Sequence, residues 1–369
     1  MKNSECLSAS IAILKVTGVW WSDSMVYKII GSLIQLFLYV FTVLAEIAYV
    51  LMVLGDTERT VDAAVLLLSH LVQGVKVATV WFRQRRIKGL IKLIDGPNFE
   101  KTDLMKAKMI ESFGALLKLS GHLFLSTAAV TALFWVIVPM LKSEITLPLK
   151  TAYPFDINDP GSFTLMYGYT TISVVLVGVG DAAENYLLAA LLILPTIHLE
   201  ILCQELQELD HGDDIYERTV SCIKYHQHII EYANEVASVF GIIMFCQFVT
   251  SSVIICMTLF KITITTEPIE MITMVFYLVC VCLELFLYCY AGDLLMNKSL
   301  LVSEASFPGK WLKDTRSCRA LLMTTVRAQR PLIVKAGGVF TVSLPTAAAI
   351  MQTAYSYYAV LQQKTKEHN

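Results

Sequence analysis

The residues of this 369-residue chain that could do chemistry are ionisable groups set inside apolar stretches: Glu46, Lys76, Lys118, Asp181, Glu184, Glu284 and Asp293. At membrane depth such a side chain is costly and marks a functional site. Most of these lie near the ends of apolar stretches or in the long fourth one; Glu46 and Glu284 have no evident partner in the sequence. His226-x-His228 sets two imidazoles at a spacing that does not share a helix face, which disfavours a metal pair. Cys280-Val281-Cys282 sits inside an apolar helix and reads as packing. The nine cysteines fall in apolar stretches or basic-side loops, so no structural disulfide is expected. There is no nucleophile elbow, HExxH pair or phosphate loop, so neither an enzyme nor a cofactor is expected. No basic tract or zinc-type spacing points to nucleic acid.

The elements that must position these groups are membrane helices. The chain is 56% hydrophobic and 16% charged with a mean hydropathy of +0.60, whereas soluble domains run at about 25% charged. Crossing the hydrocarbon takes roughly 20 mainly apolar residues. Seven stretches meet this: Ile29–Leu54, Val61–Phe82, Phe113–Leu141, Phe163–Leu202, Val236–Ile264, Met271–Met296 and Gly337–Leu361. The second carries Asp62, His70 and Lys76; the seventh has no charge. Residues 1–28 predict an amphipathic segment at the membrane surface, through Leu7, Ile11, Leu14 and Val19-Trp20-Trp21. They do not resemble a cleaved signal, so the first span serves as the insertion signal.

Lysine and arginine orient the bundle. Arg83, Arg85, Arg86, Lys88, Lys92, Lys101, Lys106 and Lys108 follow span two, and Lys298, Lys310, Lys313, Arg316, Arg319, Arg327 and Arg330 follow span six. Lys2, Lys15, Lys28, Arg218 and Lys224 lie on the same face, against Arg59, Lys142, Lys150, Lys364 and Lys366 on the other. The amino terminus is therefore expected inside and the carboxyl terminus outside. That arrangement disfavours a G-protein-coupled receptor, whose amino terminus is outside. The sequon Asn297-Lys298-Ser299 would then face the cytoplasm unmodified. A secondary transporter would show internal repeats with interrupted helices, and none is visible.

Three features exceed a plain bundle. The fourth stretch, about 40 residues long, would reach roughly 60 Å as one helix, so its lower part should continue into the cytoplasm. Residues 311–334 predict a basic amphipathic helix (Leu312, Leu321, Leu322, Val326), broken by Pro331 and Gly337-Gly338 before the last span. The connection Lys142 to Ser162 holds Tyr153-Pro154-Phe155-Asp156 near Phe134, Trp135, Tyr167, Tyr169, Met274, Phe276 and Tyr277. Two readings fit these aromatics: an interfacial belt, or a pocket under an outer-loop lid that holds a small organic ligand. The domain plan is 1–28 amino-terminal segment, 29–310 spans one to six, 311–334 cytosolic anchor helix, and 335–369 last span and short tail.

Ala328-Gln329-Arg330-Pro331-Leu332, Ala336-Gly337-Gly338, Phe340 and the stretch Ser343 to Leu361 resemble the insect odorant-receptor family, and Tyr153-Pro154-Phe155-Asp156 is similar to a motif in many members. The gustatory-receptor pattern is broken at Ser356-Tyr357 and Gln363-Lys364. The resemblance implies an all-α membrane protein with seven spans and a cytoplasmic amino terminus, in the plasma membrane of a sensory-neuron dendrite. It implies a tetrameric, non-selective cation channel in which an odour-tuned subunit joins a shared co-receptor, with small volatile ligands and membrane lipid as the other partners. It implies that the last span lines the pore, with Val360, Gln363 and Lys364 at the outer constriction. A lysine departs from the apolar residue usual in the co-receptor and would oppose cations in a homomer. The resemblance also implies an odorant pocket in the outer half of spans two, three, four and six, here Leu68, Leu71, Phe134, Trp135, Val138, Tyr169, Ser173, Met274 and Tyr277. An aromatic lining fits an aromatic or heterocyclic volatile.

Overall fold

A computed structural model describes residues 3–21, 24–100, 103–141, 145–157, 159–210, 215–306 and 315–368, the side chains of 57, 58, 210 and 364–368 excepted. Nearly everything described is helix. A short 3-10 turn, Asn3–Leu7, leads into α1 (Ser8–Val16). Helices α2 (Met25–Ile34) and α3 (Phe41–Met52) join through a π-helical segment, Gln35–Val40, into one rod. Then come α4 (Thr57–Ile94), α5 (Leu104–Met140), α6 (Pro160–Gln207), α7 (Ile215–Ile264), α8 (Pro268–Ala305), α9 (Thr315–Ala328) and α10 (Leu344–His368).

Carboxylates start the long helices. Asp159 accepts from the backbone N–H groups of Gly161 (3.1 Å) and Ser162 (3.3 Å), with Pro160 at the first helical position where its missing N–H costs nothing. Asp56 and Asp103 cap α4 and α5 in the same way. At 48 and 50 residues, α6 and α7 each run roughly 70 Å, about twice the hydrocarbon thickness. The extension expected for span four is thus shared by α7, which begins well before the predicted Val236.

Six helical rods among the described residues are long and apolar enough to cross a membrane: Met25–Met52, Arg59–Ile94, Leu104–Met140, Pro160–Gln207, Ile215–Ile264 and Pro268–Ala305. The expected seventh stretch is not among them. It has no charge through Leu361, but Gln352, Thr353, Ser356 and its tyrosines lower its hydropathy. Its helix also starts at Leu344 rather than Gly337. Residues 335–343 instead form a small hairpin, Lys335–Ala336 (β1) against Phe340–Thr341 (β2), with Ala336 opposite Phe340. Gly337 and Gly338 turn it at φ +58° and +77°, a left-handed conformation that a side chain resists.

The predicted anchor segment, 311–334, contains α9. This helix spans Thr315–Ala328, turns Ser317, Leu321, Thr324, Thr325 and Ala328 inward, and leaves Leu322, Met323 and Val326 exposed; residues 311–314 lie outside the described residues. The amino-terminal segment turns its apolar side chains to protein: Cys6, Leu7, Leu14, Val19 and Trp20 are buried in the main core, with α1 packed on α6.

That core is centred on α6, where every residue from 182 to 199 is buried. A helix apolar on all sides must be surrounded, and α5, α7, α8 and α1 surround this one. Tyr186 fits because Gly121 on α5 has no side chain: a Cβ there would stand 2.6 Å from the ring. The Tyr186 hydroxyl donates to the Leu117 carbonyl. By contrast the rod made of α2, the π-helical segment and α3, together with α5, exposes Leu33, Phe37, Leu44, Leu116, Leu123, Leu133 and Ile137 outward. An apolar surface of this extent is suited to lipid.

Candidate ligand cavity

Above the α6 core the helices separate around a cavity of about 160 Å³. Its walls come from α4, α5, α6, α7 and α8, and Leu149 of the 145–157 connection also lines it. That connection is held in place by the Ala152 N–H donating to the Ala45 carbonyl (3.0 Å) and by Tyr153 stacked on Phe41 and Phe155. Phe124, Trp135, Val177 and Ile254 line the apolar part. Trp135 meets Tyr277 edge-on at 6.1 Å, and the Tyr277 hydroxyl is hydrogen-bonded to Ser69 (2.5 Å).

One side of the cavity is charged. Lys76 on α4 donates to Asp181 on α6 (2.8 Å) and to Glu284 on α8 (2.7 Å). Asn185 donates to the second oxygen of Asp181 (3.0 Å) and accepts from the Tyr288 hydroxyl (2.5 Å). The Gln73 amide, turned to donate, reaches Glu184 (3.3 Å) and Asp181. Next to this cluster His70 pairs with Glu46 at 2.7 Å. Buried charges persist only when paired, and Lys76 and Glu46 are each 2% exposed. The two glutamates without a partner in the sequence therefore both find one on α4, Glu284 the Lys76 ammonium and Glu46 the His70 imidazole.

A second, smaller cavity of about 40 Å³ adjoins the first through Leu66 and Trp135, which line both. It is bordered by the ion pairs of Lys261 with Asp62 and Glu270.

The sequence-predicted residues divide among these places. Trp135 and Tyr277 line the large cavity, while Phe134, Val138, Met274 and again Trp135 line the small one. Tyr169 and Ser173 are hydrogen-bonded to Thr42 (both 2.9 Å) where α6 meets α3. Leu68 packs on the core, and Leu71 is 45% exposed on the outer face of α4. Val360 and Gln363 are exposed on α10, and the Lys364 side chain lies outside the described residues. His226 is buried and His228 stands 3.7 Å from Glu231; among the described residues no cluster of His, Cys, Asp and Glu could hold a metal.

Sequence reasoning missed the contribution of the fifth span, Gln247, Thr250 and Ile254, and the polar face of α5, Thr127 and Thr131. The signal for the latter was present, because hydroxyls four apart share one helix face. Nothing local in α7 separates Gln247 from a surface glutamine.

The 7tm Odorant receptor family profile matches residues 56–355. Odorant receptor 22c of Drosophila melanogaster is 24% identical over 310 residues, 77% of each chain. Odorant receptor Or1 of Anopheles gambiae is 25% identical over 305 residues, 72% of this chain and 73% of that one. Across several such relatives the aligned part spans from 40% to 87% of the relative's length. The insect olfactory receptor OR5 of Machilis hrabei superimposes with a TM-score of 0.86 over 96% of this chain and 97% of that one, at 18% identity. The same receptor in complex with eugenol also gives a TM-score of 0.86. With a profile covering most of the chain and a bundle that superimposes nearly end to end, this membrane protein belongs to the 7tm odorant receptor family of insects, a family of receptors rather than enzymes.

Proposed function

We propose that the chain is the odour-tuned subunit of a heteromeric, odorant-gated, non-selective cation channel, completed by a shared co-receptor. The observation that carries this reading is the cavity of about 160 Å³ lined by five helices and by Leu149 of the 145–157 connection. A site of that form suits a small volatile molecule, and the solved Machilis hrabei relative has been captured with eugenol. In this reading α10 is the seventh span, and the basic loops hold the amino terminus in the cytoplasm of a sensory-neuron dendrite. The ligand acts by binding the open state more tightly than the closed one.

On the same reading α10 lines the pore, with Val360, Gln363 and Lys364 toward its outer end. Lys364→Leu should raise cation conductance or shift ion selectivity in the heteromer. Unchanged single-channel currents would remove Lys364 from the pore. The whole proposal is tested by whole-cell recording under a volatile panel, with the chain expressed alone and then with an insect co-receptor. Odorant-evoked cation current in the pair only is the expected result. Surface expression with no current in either case would overturn it.

A further inference from the structure

We propose that the cavity takes a small organic ammonium ion, a protonated amine on a hydrocarbon body. This rests on the odorant-site reading above and sharpens it to a chemical class.

The first argument is charge balance. Three carboxylates, Asp181, Glu184 and Glu284, gather around one ammonium, that of Lys76. His70 does not supply a further cation to them, because it is paired with Glu46. One lysine balances one carboxylate, and a further carboxyl group in an apolar surround must either hold its proton or meet another cation. The Asp181 side chain retains 27% exposure while lining the cavity, so its carboxylate is open to a ligand there. A bound organic cation lets a second carboxyl group ionise and pairs with it; a neutral alcohol or ester of the same shape cannot.

The second argument comes from another helix. Gln247 on α7 lines the same cavity and is 4% exposed. Its amide nitrogen donates to Ser251 (3.1 Å), while its Oε1 has no hydrogen-bond partner among the described residues. A buried acceptor left unmatched is costly unless something donates to it. An ammonium group has several N–H donors and no acceptor, which complements a wall offering carboxylate oxygens and an amide oxygen. Volume limits the rest of the molecule. An engineered protein cavity of about 150 Å³ accommodates benzene, so about 160 Å³ takes one ring or a short chain. Phe124, Trp135 and Ile254 form its apolar side.

The test records currents from this chain co-expressed with an insect co-receptor. The probes are matched pairs of equal shape, such as phenethylamine against phenethyl alcohol, with shorter and longer homologues. The amine of the most active pair should reach half-maximal current at a concentration at least about ten-fold lower, the size of one hydrogen bond to a charged group. Asp181→Asn should erase that advantage, bringing the amine-to-alcohol ratio of half-maximal concentrations close to one. Because Asp181→Asn also removes a partner of Lys76, Gln247→Leu serves as the second variant. It leaves the ion cluster intact and should weaken the amine several-fold more than the alcohol. Alcohols equal to or better than their amines across the series would overturn the ammonium assignment and leave the odorant-site reading standing. Amine responses unaltered by both variants would likewise overturn it. Silence to every volatile from a channel present at the surface would overturn both.

Discussion

Two halves of one helix, α6, face opposite demands. From 186 to 195 every residue is buried, and none of them lines the cavity. Just above, Val174, Val177, Gly178, Asp181, Ala182 and Asn185 border open volume. The lower half gains stability from continuous apolar contact. The upper half gives some of that up for space and for polar groups that packing alone would exclude. A receptor needs both, since a ligand can use only a site that the surrounding fold holds open.

The sharpest way to break this contrast is to remove the cation that holds the upper half together. Lys76→Met leaves the buried Glu284 and the half-buried Asp181 without their cation, and should cost about 3–5 kcal/mol. Loss of surface expression would report it; normal trafficking would mean that the cluster is less tightly coupled than its 2.7 and 2.8 Å contacts indicate. In the lower half, Leu191→Ala removes a fully buried side chain and should cost about 2–5 kcal/mol, read as lower thermal stability in detergent. Gly121→Ala drives a methyl group into the Tyr186 ring, with an expected cost of about 1–3 kcal/mol. Tyr186→Leu in the same chain should recover part of that loss, whereas strict additivity would show that the two do not touch. Smallest of all, Leu71→Ala on the outward face of α4 should alter stability by less than about 0.5 kcal/mol and leave half-maximal ligand concentrations unchanged. A shift there would show that this face meets something more specific than lipid.

Much of the fold was legible in the residues themselves. Leucine, valine and phenylalanine runs marked the first six rods, and Asp56, Asp103 and Asp159 sit where caps belong. Helix ends were harder. The polar first half of α7, with Tyr225, His226 and Glu231, looks like a loop to a hydropathy window, yet Tyr225, His226, Ile229 and Tyr232 are buried against neighbouring helices. The site was legible in part. Trp135 and Tyr277 could be picked as large aromatics at the right depth, whereas Tyr169 and Ser173, on a helix that does line the cavity, turn toward α3 instead.

The sequence by itself determined that this is a polytopic helical membrane protein, where its apolar rods run, which connections carry the basic charge, and its family. Those properties are sums over neighbouring residues, so they survive without knowledge of the packing. Only the tertiary structure decided that Lys76 meets Asp181 and Glu284, 105 and 208 residues away, that Glu46 meets His70, and that Gln247 is among the residues lining the cavity. Each of those depends on how far a helix is rotated about its axis and slid along its neighbours. Rotation and depth are set by the fit of whole surfaces, such as Tyr186 over Gly121, which no single stretch of sequence contains.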